Sequence, residues 1–294
     1  MENKIKLIAL NTYYLLGAII FLTLGNFLQS LNFEIGLIIT EYVLVLGYSL
    51  LIIKMSKAEI SDYIHLNDVT RMTLFKTVLI VLLSLPIVML LNLITLYILE
   101  VLGRSVYYDI PMAKDFTSVV FQFFIISISA GICEEVFFRG VILNTYKDYF
   151  SYKKAILITA FMFGIFHFNL QNILGPIYLG IVFGYLAIKT QSIIPAILGH
   201  MTNNGVAYLM SYMGSFITTE TEGMINAQFL LDSIMSLSFI AVFSFGIILY
   251  IIKTIPGRNM DQIDRQVEIH SKKDFIPLGI TLMLYIGYSI YIFF

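Results

Sequence analysis

Long apolar stretches separated by short polar segments run along the whole chain. Nine are candidate membrane helices, since about 20 apolar residues are needed to cross a bilayer. They are 7–27, 35–53, 77–100, 116–145, 155–169, 173–188, 193–213, 228–252 and 276–294. The fifth and sixth are short, and the polar joint at 169–172 also allows one re-entrant or tightly turned pair. The pattern predicts an all-α, polytopic transmembrane helical bundle with about eight or nine spans.

Composition supports a membrane location. Hydrophobic residues make up 59% of the 294 residues and charged residues 13%. A soluble protein has about 45–50% apolar and about 25% charged residues, so this chain lacks the charge for a water-exposed surface. The net charge of −1 gives no basic field for nucleic acid. We therefore expect an integral membrane protein whose partners include the lipid bilayer and no nucleic acid.

The distribution of lysine and arginine predicts the orientation. If the N-terminus is cytoplasmic and the nine stretches alternate, 15 of the 18 basic residues lie in cytoplasmic segments and two lie outside. Cytoplasmic loops of membrane proteins carry such an excess. We therefore predict a cytoplasmic N-terminus. The remaining basic residue, Arg139, lies within a span.

Polar side chains occur within three of the stretches, where each ionisable group costs about 2.5–3.5 kcal/mol on insertion scales. They are Glu134, Glu135 and Arg139 in the fourth, His167 in the fifth, and His200 and Asn204 in the seventh. Counted from the nearest cytoplasmic lysines, all three groups lie about 17–20 Å deep at 1.5 Å per residue. The sequence therefore predicts one polar layer near the middle of the bilayer.

The spacing within each helix predicts which side chains share a face. Glu135 and Arg139 are four residues apart and can pair, whereas Glu134 points about 100° away and can face a cavity. His200 and Asn204 are also four residues apart. Phe163 lies one turn before His167 and could form a wall of the site.

These residue types suit hydrolysis of an amide bond. A carboxylate and an imidazole can remove a proton from water, and a second histidine and an amide can stabilise an oxyanion. Alternatively, Glu134, His167 and His200 could bind Zn²⁺ and leave one position for water. The sequence does not decide whether a metal cofactor is needed.

Two other kinds of protein fit a buried cluster of this type. A proton- or ion-coupled transporter would use the glutamates and histidines as a relay. Such a carrier usually has paired repeats, and none is visible in this sequence. A non-enzymatic immunity or scaffold protein is the third possibility.

Three motifs resemble those of the CPBP family of intramembrane proteases, also called the Abi or CAAX-protease family. The family pattern EExxxR, FxxxH and HxxxN occurs at 134–139, 163–167 and 200–204. The resemblance covers about residues 116–212. It implies an endopeptidase of glutamate or metalloprotease type that cleaves membrane-associated proteins or peptides. Glu134 and His167 would activate water, His200 and Asn204 would stabilise the oxyanion, and Glu135, Arg139 and Phe163 would support the site.

The resemblance also frames the rest of the chain. We expect N-terminal spans in 1–115, the catalytic core in 116–213, and C-terminal spans in 214–294. Members of the family cleave prenylated CAAX proteins or are linked to peptide maturation, bacteriocin immunity and phage abortive infection. A composition rich in Lys, Ile and Asn and free of Trp favours a bacterial plasma membrane and an unprenylated peptide.

Overall fold

The computed structural model describes residues 4–104, 113, 115–215, 226–258, 260 and 269–293. These residues form helices and connecting segments, and no β-strand occurs among them. The predicted all-helical class is therefore confirmed. The helical segments follow the nine apolar stretches of the sequence closely.

Nine labels cover the main helical segments of the described residues. They are α1 (Leu7–Leu31), α2 (Phe33–Met55), α3 (Arg71–Val101), α4 (Phe116–Tyr149), α5 (Tyr152–Phe166), α6 (Leu174–Thr190), α7 (Ile194–Ser215), α8 (Ala227–Lys253) and α9 (Ile276–Phe293).

Six helices of the described residues are long and apolar enough to cross a membrane: α1 to α4, α8, and α9 with the turn before it. With 22 residues, α7 is as long, but its central histidine and asparagines make it less apolar. The helices α5 and α6 have 15 and 17 residues, about 22 and 25 Å at 1.5 Å per residue. Both are shorter than the bilayer core of about 30 Å. The predicted number of eight or nine spans is therefore not confirmed.

The short helices α5 and α6 form a closely packed pair because glycines line their contact. A Cβ atom added to Gly180 would lie 2.8 Å from the Cα atom of Ala160. One added to Gly164 would lie 2.4 Å from a side-chain carbon of Ile177. Small residues let helix backbones approach in this way within membranes. The close approach fixes α6 against α5.

The long helix α4 lies at the centre of the bundle and departs from regular α-helical geometry on both sides of its acidic pair. π-Helical segments occupy Phe124–Ser129 and Val136–Ile142. Such wider turns are frequent at functional sites. α4 packs against α2 and α7, and α3 packs against α6, α7 and α8. This arrangement surrounds Glu134 and Glu135 with helices that come from both halves of the chain.

Replacing Gly180 with alanine tests the α5–α6 contact. Because the added methyl group meets backbone rather than a flexible side chain, we expect Gly180→Ala to destabilise the fold by about 1–3 kcal/mol. Gly246→Ala in α8 is the matched control, since its Cβ meets nothing within 4 Å. Thermal unfolding in detergent measures both. Equal melting temperatures for the two variants would contradict the packing described here.

Candidate active site

One carboxylate oxygen connects two helices within the membrane. Oε1 of Glu135 accepts a hydrogen bond from Nη1 of Arg139 at 2.7 Å and one from Nδ1 of His200 at 2.8 Å. The exposed fractions of the Glu135, Arg139 and His200 side chains are 0%, 3% and 4%. Arg139 also donates from Nη2 to the carbonyl oxygen of Gly180 at 3.4 Å. These bonds hold α4, α6 and α7 at fixed positions relative to one another.

Two phenylalanines enclose this network. The guanidinium carbon of Arg139 lies 4.5 Å from the ring centre of Phe163 and 5.4 Å from that of Phe183. The His200 ring stacks on Phe183 at 5.6 Å and meets Phe163 edge to face at 5.8 Å. Aromatic faces attract cations. The rings therefore stabilise the arginine.

Glu134 faces a different environment from its neighbour. It lines a cavity of about 610 Å³ whose walls come from α2 to α7, with mostly apolar side chains. His167, His200 and Asn204 line the same cavity, and Phe163 forms part of its wall. Glu135 and Arg139 are not among its lining residues. The structure thus separates the two adjacent glutamates, one on the cavity and one in a buried ion pair.

The end of α5 fixes the orientation of His167. Nδ1 of His167 lies 2.8 Å from the carbonyl oxygen of Phe163, and a carbonyl can only accept, so Nδ1 carries the hydrogen. Nε2 of the neutral ring then has a free lone pair. The next residue, Phe168, has a left-handed φ of 47° that ends the helix, and its ring packs against Tyr285 and Tyr288. The contacts of the Phe168 ring offset the strain of its own left-handed backbone. The end of the helix at this position places His167 at the cavity.

The amide of Asn204 is held by two further hydrogen bonds. Nδ2 of Asn204 donates to the carbonyl oxygen of Ile126 at 3.1 Å, and Oδ1 accepts from Nδ2 of Asn203 at 3.1 Å. A primary amide has two N–H hydrogens, so one remains for another acceptor. Both asparagines line the cavity.

The side chains do not form a metal-binding group in this structure. Among the described residues, no set of three or more His, Cys, Asp or Glu side chains is arranged to hold a metal ion. The ligand set considered from the sequence was Glu134, His167 and His200. In the latter two, Nδ1 bonds to a protein oxygen, and Nε2 is the nitrogen left for a ligand.

Two residues of the site were missed in the sequence. Glu41 of α2 lines the cavity, and its side chain is buried. Glu41 is an ionisable residue in the second predicted span. Its high cost of insertion into a membrane could therefore have identified it in the same way as Glu134. Phe183 lies in a uniformly apolar helix, and nothing in the sequence distinguishes it from its neighbours.

A second cavity, of about 290 Å³, lies on the other side of Arg139. His65, Lys147 and Arg258 also line it, and none of the described residues of its lining carries a carboxylate. Burial lowers the pKa of His65, and the nearby charge of Lys147 lowers it further. Arg139 thus lines the polar, basic cavity and also forms the ion pair with Glu135. This ion pair lies behind the cavity that Glu134 lines.

Comparison with protein families gives one match to this region. Residues 116–206 match the family described as type II CAAX prenyl endopeptidase Rce1-like. The match covers about a third of the chain and includes all three motifs. It confirms the resemblance to the CAAX-protease family and supports an intramembrane endopeptidase. No curated protein and no solved structure matched the chain.

A double-mutant cycle tests the buried ion pair. Glu135→Ala leaves the Arg139 guanidinium buried without its carboxylate, so we expect a loss of about 3–5 kcal/mol in the free energy of unfolding. Glu135→Ala/Arg139→Met removes both charges and should lose clearly less than the sum of the single variants. Reversible unfolding in detergent micelles measures these values.

The exposed pair between Lys4 Nζ and Asp148 Oδ2, at 2.8 Å, provides the control. Lys4→Ala should change the free energy of unfolding by no more than about 1 kcal/mol. If Glu135→Ala cost as little as Lys4→Ala, the ion pair would not be a structural centre of the bundle.

Proposed function

We propose that the protein is an intramembrane endopeptidase that hydrolyses peptide bonds of membrane-associated proteins or peptides. The observation that carries this proposal is the convergence of Glu134, His167, His200 and Asn204, from three helices, on one cavity. The family match over the same helices supports this reaction class. The apolar cavity walls suit a hydrophobic peptide segment, because ligand sites of this size are mostly apolar with few polar groups.

Glu134 and His167 are proposed to activate water. The hydrogen bond to the Phe163 carbonyl leaves Nε2 of His167 as a proton acceptor. As the water oxygen forms its bond to the peptide carbonyl carbon, one proton passes to Nε2 of His167 or to the Glu134 carboxylate. The same group then gives a proton to the leaving nitrogen as the carbon–nitrogen bond breaks. The products are a carboxylic acid and an amine, with no covalent enzyme intermediate.

His200 and Asn204 are proposed to stabilise the negative oxygen of the tetrahedral intermediate. Asn204 can donate the second hydrogen of Nδ2, since the first is used on Ile126. Nδ1 of His200 donates to Glu135, so the ring donates from Nε2 only as the imidazolium. Glu135 then faces a positive ring, and the intermediate faces a fixed donor. Preorganised donors of this kind lower the barrier because they need no reorientation during the reaction.

Activity of the reconstituted protein tests the proposal. Liposomes are supplied with apolar peptides and, separately, with a farnesylated CAAX peptide, and products are identified by mass spectrometry. We expect Glu134→Gln and His167→Gln to lower kcat by about 100- to 10,000-fold, the usual contribution of a general acid–base group. Cys133→Ala is the matched control, because this neighbour of Glu134 is a fully buried thiol outside the cavity lining.

Cys133→Ala should retain activity with a folded protein. Peptide cleavage that survives Glu134→Gln, or is lost with Cys133→Ala, would contradict the mechanism. Proton flux that depends on Glu134, without any peptide product, would favour a transporter instead.

Variants of the two neighbouring asparagines test the oxyanion role. Asn204→Ala should lower kcat by about 100- to 1,000-fold, as expected when one oxyanion donor is removed. Asn203→Ala should have a smaller effect, because Asn203 donates to the Asn204 amide and is not proposed to donate to the oxyanion. Steady-state kinetics on the same peptide measure both, with KM largely unchanged. A larger loss for Asn203→Ala than for Asn204→Ala would reverse these assignments.

A further inference from the structure

Glu41 presents a buried carboxyl group to the cavity from α2, a helix that carries none of the three motifs. It lies in α2 and lines the cavity together with Leu37 of the same helix. Its exposed fraction is only 4%, and its Oε2 atom has no hydrogen-bond partner among the described residues. A buried carboxylate without a partner is unfavourable, so it needs an explanation of its own. The water-activating and oxyanion roles leave Glu41 unused.

The cavity wall has two glutamates and two histidines. The glutamates are Glu41 of α2 and Glu134 of α4. No lysine or arginine is among the described residues that line the cavity. The buried cation Arg139 is hydrogen-bonded to Glu135 and does not line this cavity. The cavity therefore offers an acidic site within apolar walls.

A positively charged group of the substrate would complete this site. The long apolar stem of lysine or arginine packs well against apolar walls while its charged end reaches a polar partner. Glu41 lies on α2 and Glu134 on α4, so a cation at Glu41 leaves Glu134 for the chemistry. The cavity volume of about 610 Å³ has room for such a side chain beside the peptide backbone, as typical ligand sites do.

We propose that the protein selects peptides with a lysine or arginine close to the cleaved bond, and that the Glu41 carboxylate pairs with this cation. The inference rests on the proposed endopeptidase function and deepens it by naming a class of substrate. Glu41 is thus a specificity-determining residue for the peptide substrate. It binds the substrate and takes no part in moving protons.

Two matched sets of peptides test the inference in proteoliposomes. One set carries a single lysine at successive positions in a sequence of Leu, Ile, Ala and Phe, and the other carries norleucine in its place. The readout is the ratio of kcat/KM between each lysine peptide and its norleucine partner. For the wild type we expect a ratio of at least about 10 at positions next to the cleaved bond, since a desolvated charge pair is strongly selective.

Glu41→Gln keeps the shape of the side chain and removes its charge. We expect the ratio to fall to about 1, whatever happens to the absolute rate. Glu41→Asp keeps the charge and should keep a preference for lysine. Glu59→Gln is the matched control, because Glu59 is exposed before the helical turn Ile60–Tyr63, and its ratio should equal that of the wild type.

The outcomes separate the two proposals. A wild-type ratio near 1, or an unchanged ratio in Glu41→Gln, would overturn the role of Glu41 while Glu134-dependent cleavage still supported the endopeptidase. A preference lost in both Glu41→Gln and Glu41→Asp, in folded proteins, would also overturn it. If no peptide of either set is cleaved in a Glu134-dependent way, the endopeptidase function itself fails.

Discussion

The hydrogen bonds to a single oxygen atom of Glu135 hold the polar layer of this protein together. Arg139 and His200 both donate to Oε1, and all three side chains are almost completely buried. Taking such charges out of water is costly, and only a paired, well-bonded geometry offsets that cost. The interaction therefore requires α4 and α7 to lie at one relative depth and rotation. The bond from Arg139 to Gly180 extends the same requirement to α6.

The fixed position of Glu135 has consequences for its neighbours. Glu135 forms the ion pair. Glu134 lies on the next face of α4 and lines the cavity. With Nδ1 of His200 committed to Glu135, only Nε2 of that ring is left for a ligand. His167 is fixed by a different acceptor, the Phe163 carbonyl, at the end of a helix too short to cross the bilayer. Two adjacent carboxylates and two similar imidazoles thereby acquire different chemical environments.

The parts of this arrangement that depend on local spacing could be predicted from the sequence. The Glu135–Arg139 pair follows from four-residue spacing, and the polar layer follows from residue counts along three stretches. The contact of His200 with Glu135 could not be predicted, because it depends on how α7 is rotated against α4. Glu41 and Phe183 lie in helices that are apolar on all sides, where no hydrophobic face indicates which side chains point inward. The rotation of such helices is decided by tertiary packing alone.

Fixed hydrogen-bond acceptors give His167 and His200 different roles, and the hydrogen positions on the two imidazole rings can be measured. The chain has only four histidines, so ¹⁵N NMR of histidine-labelled protein can be assigned with His167→Gln and His200→Gln. For the neutral rings we expect hydrogen on Nδ1 of both His167 and His200. Glu135→Gln should alter only the His200 signals. Hydrogen on Nε2 of His167 would rule out the proposed role of this residue, because that nitrogen could then accept no proton from water.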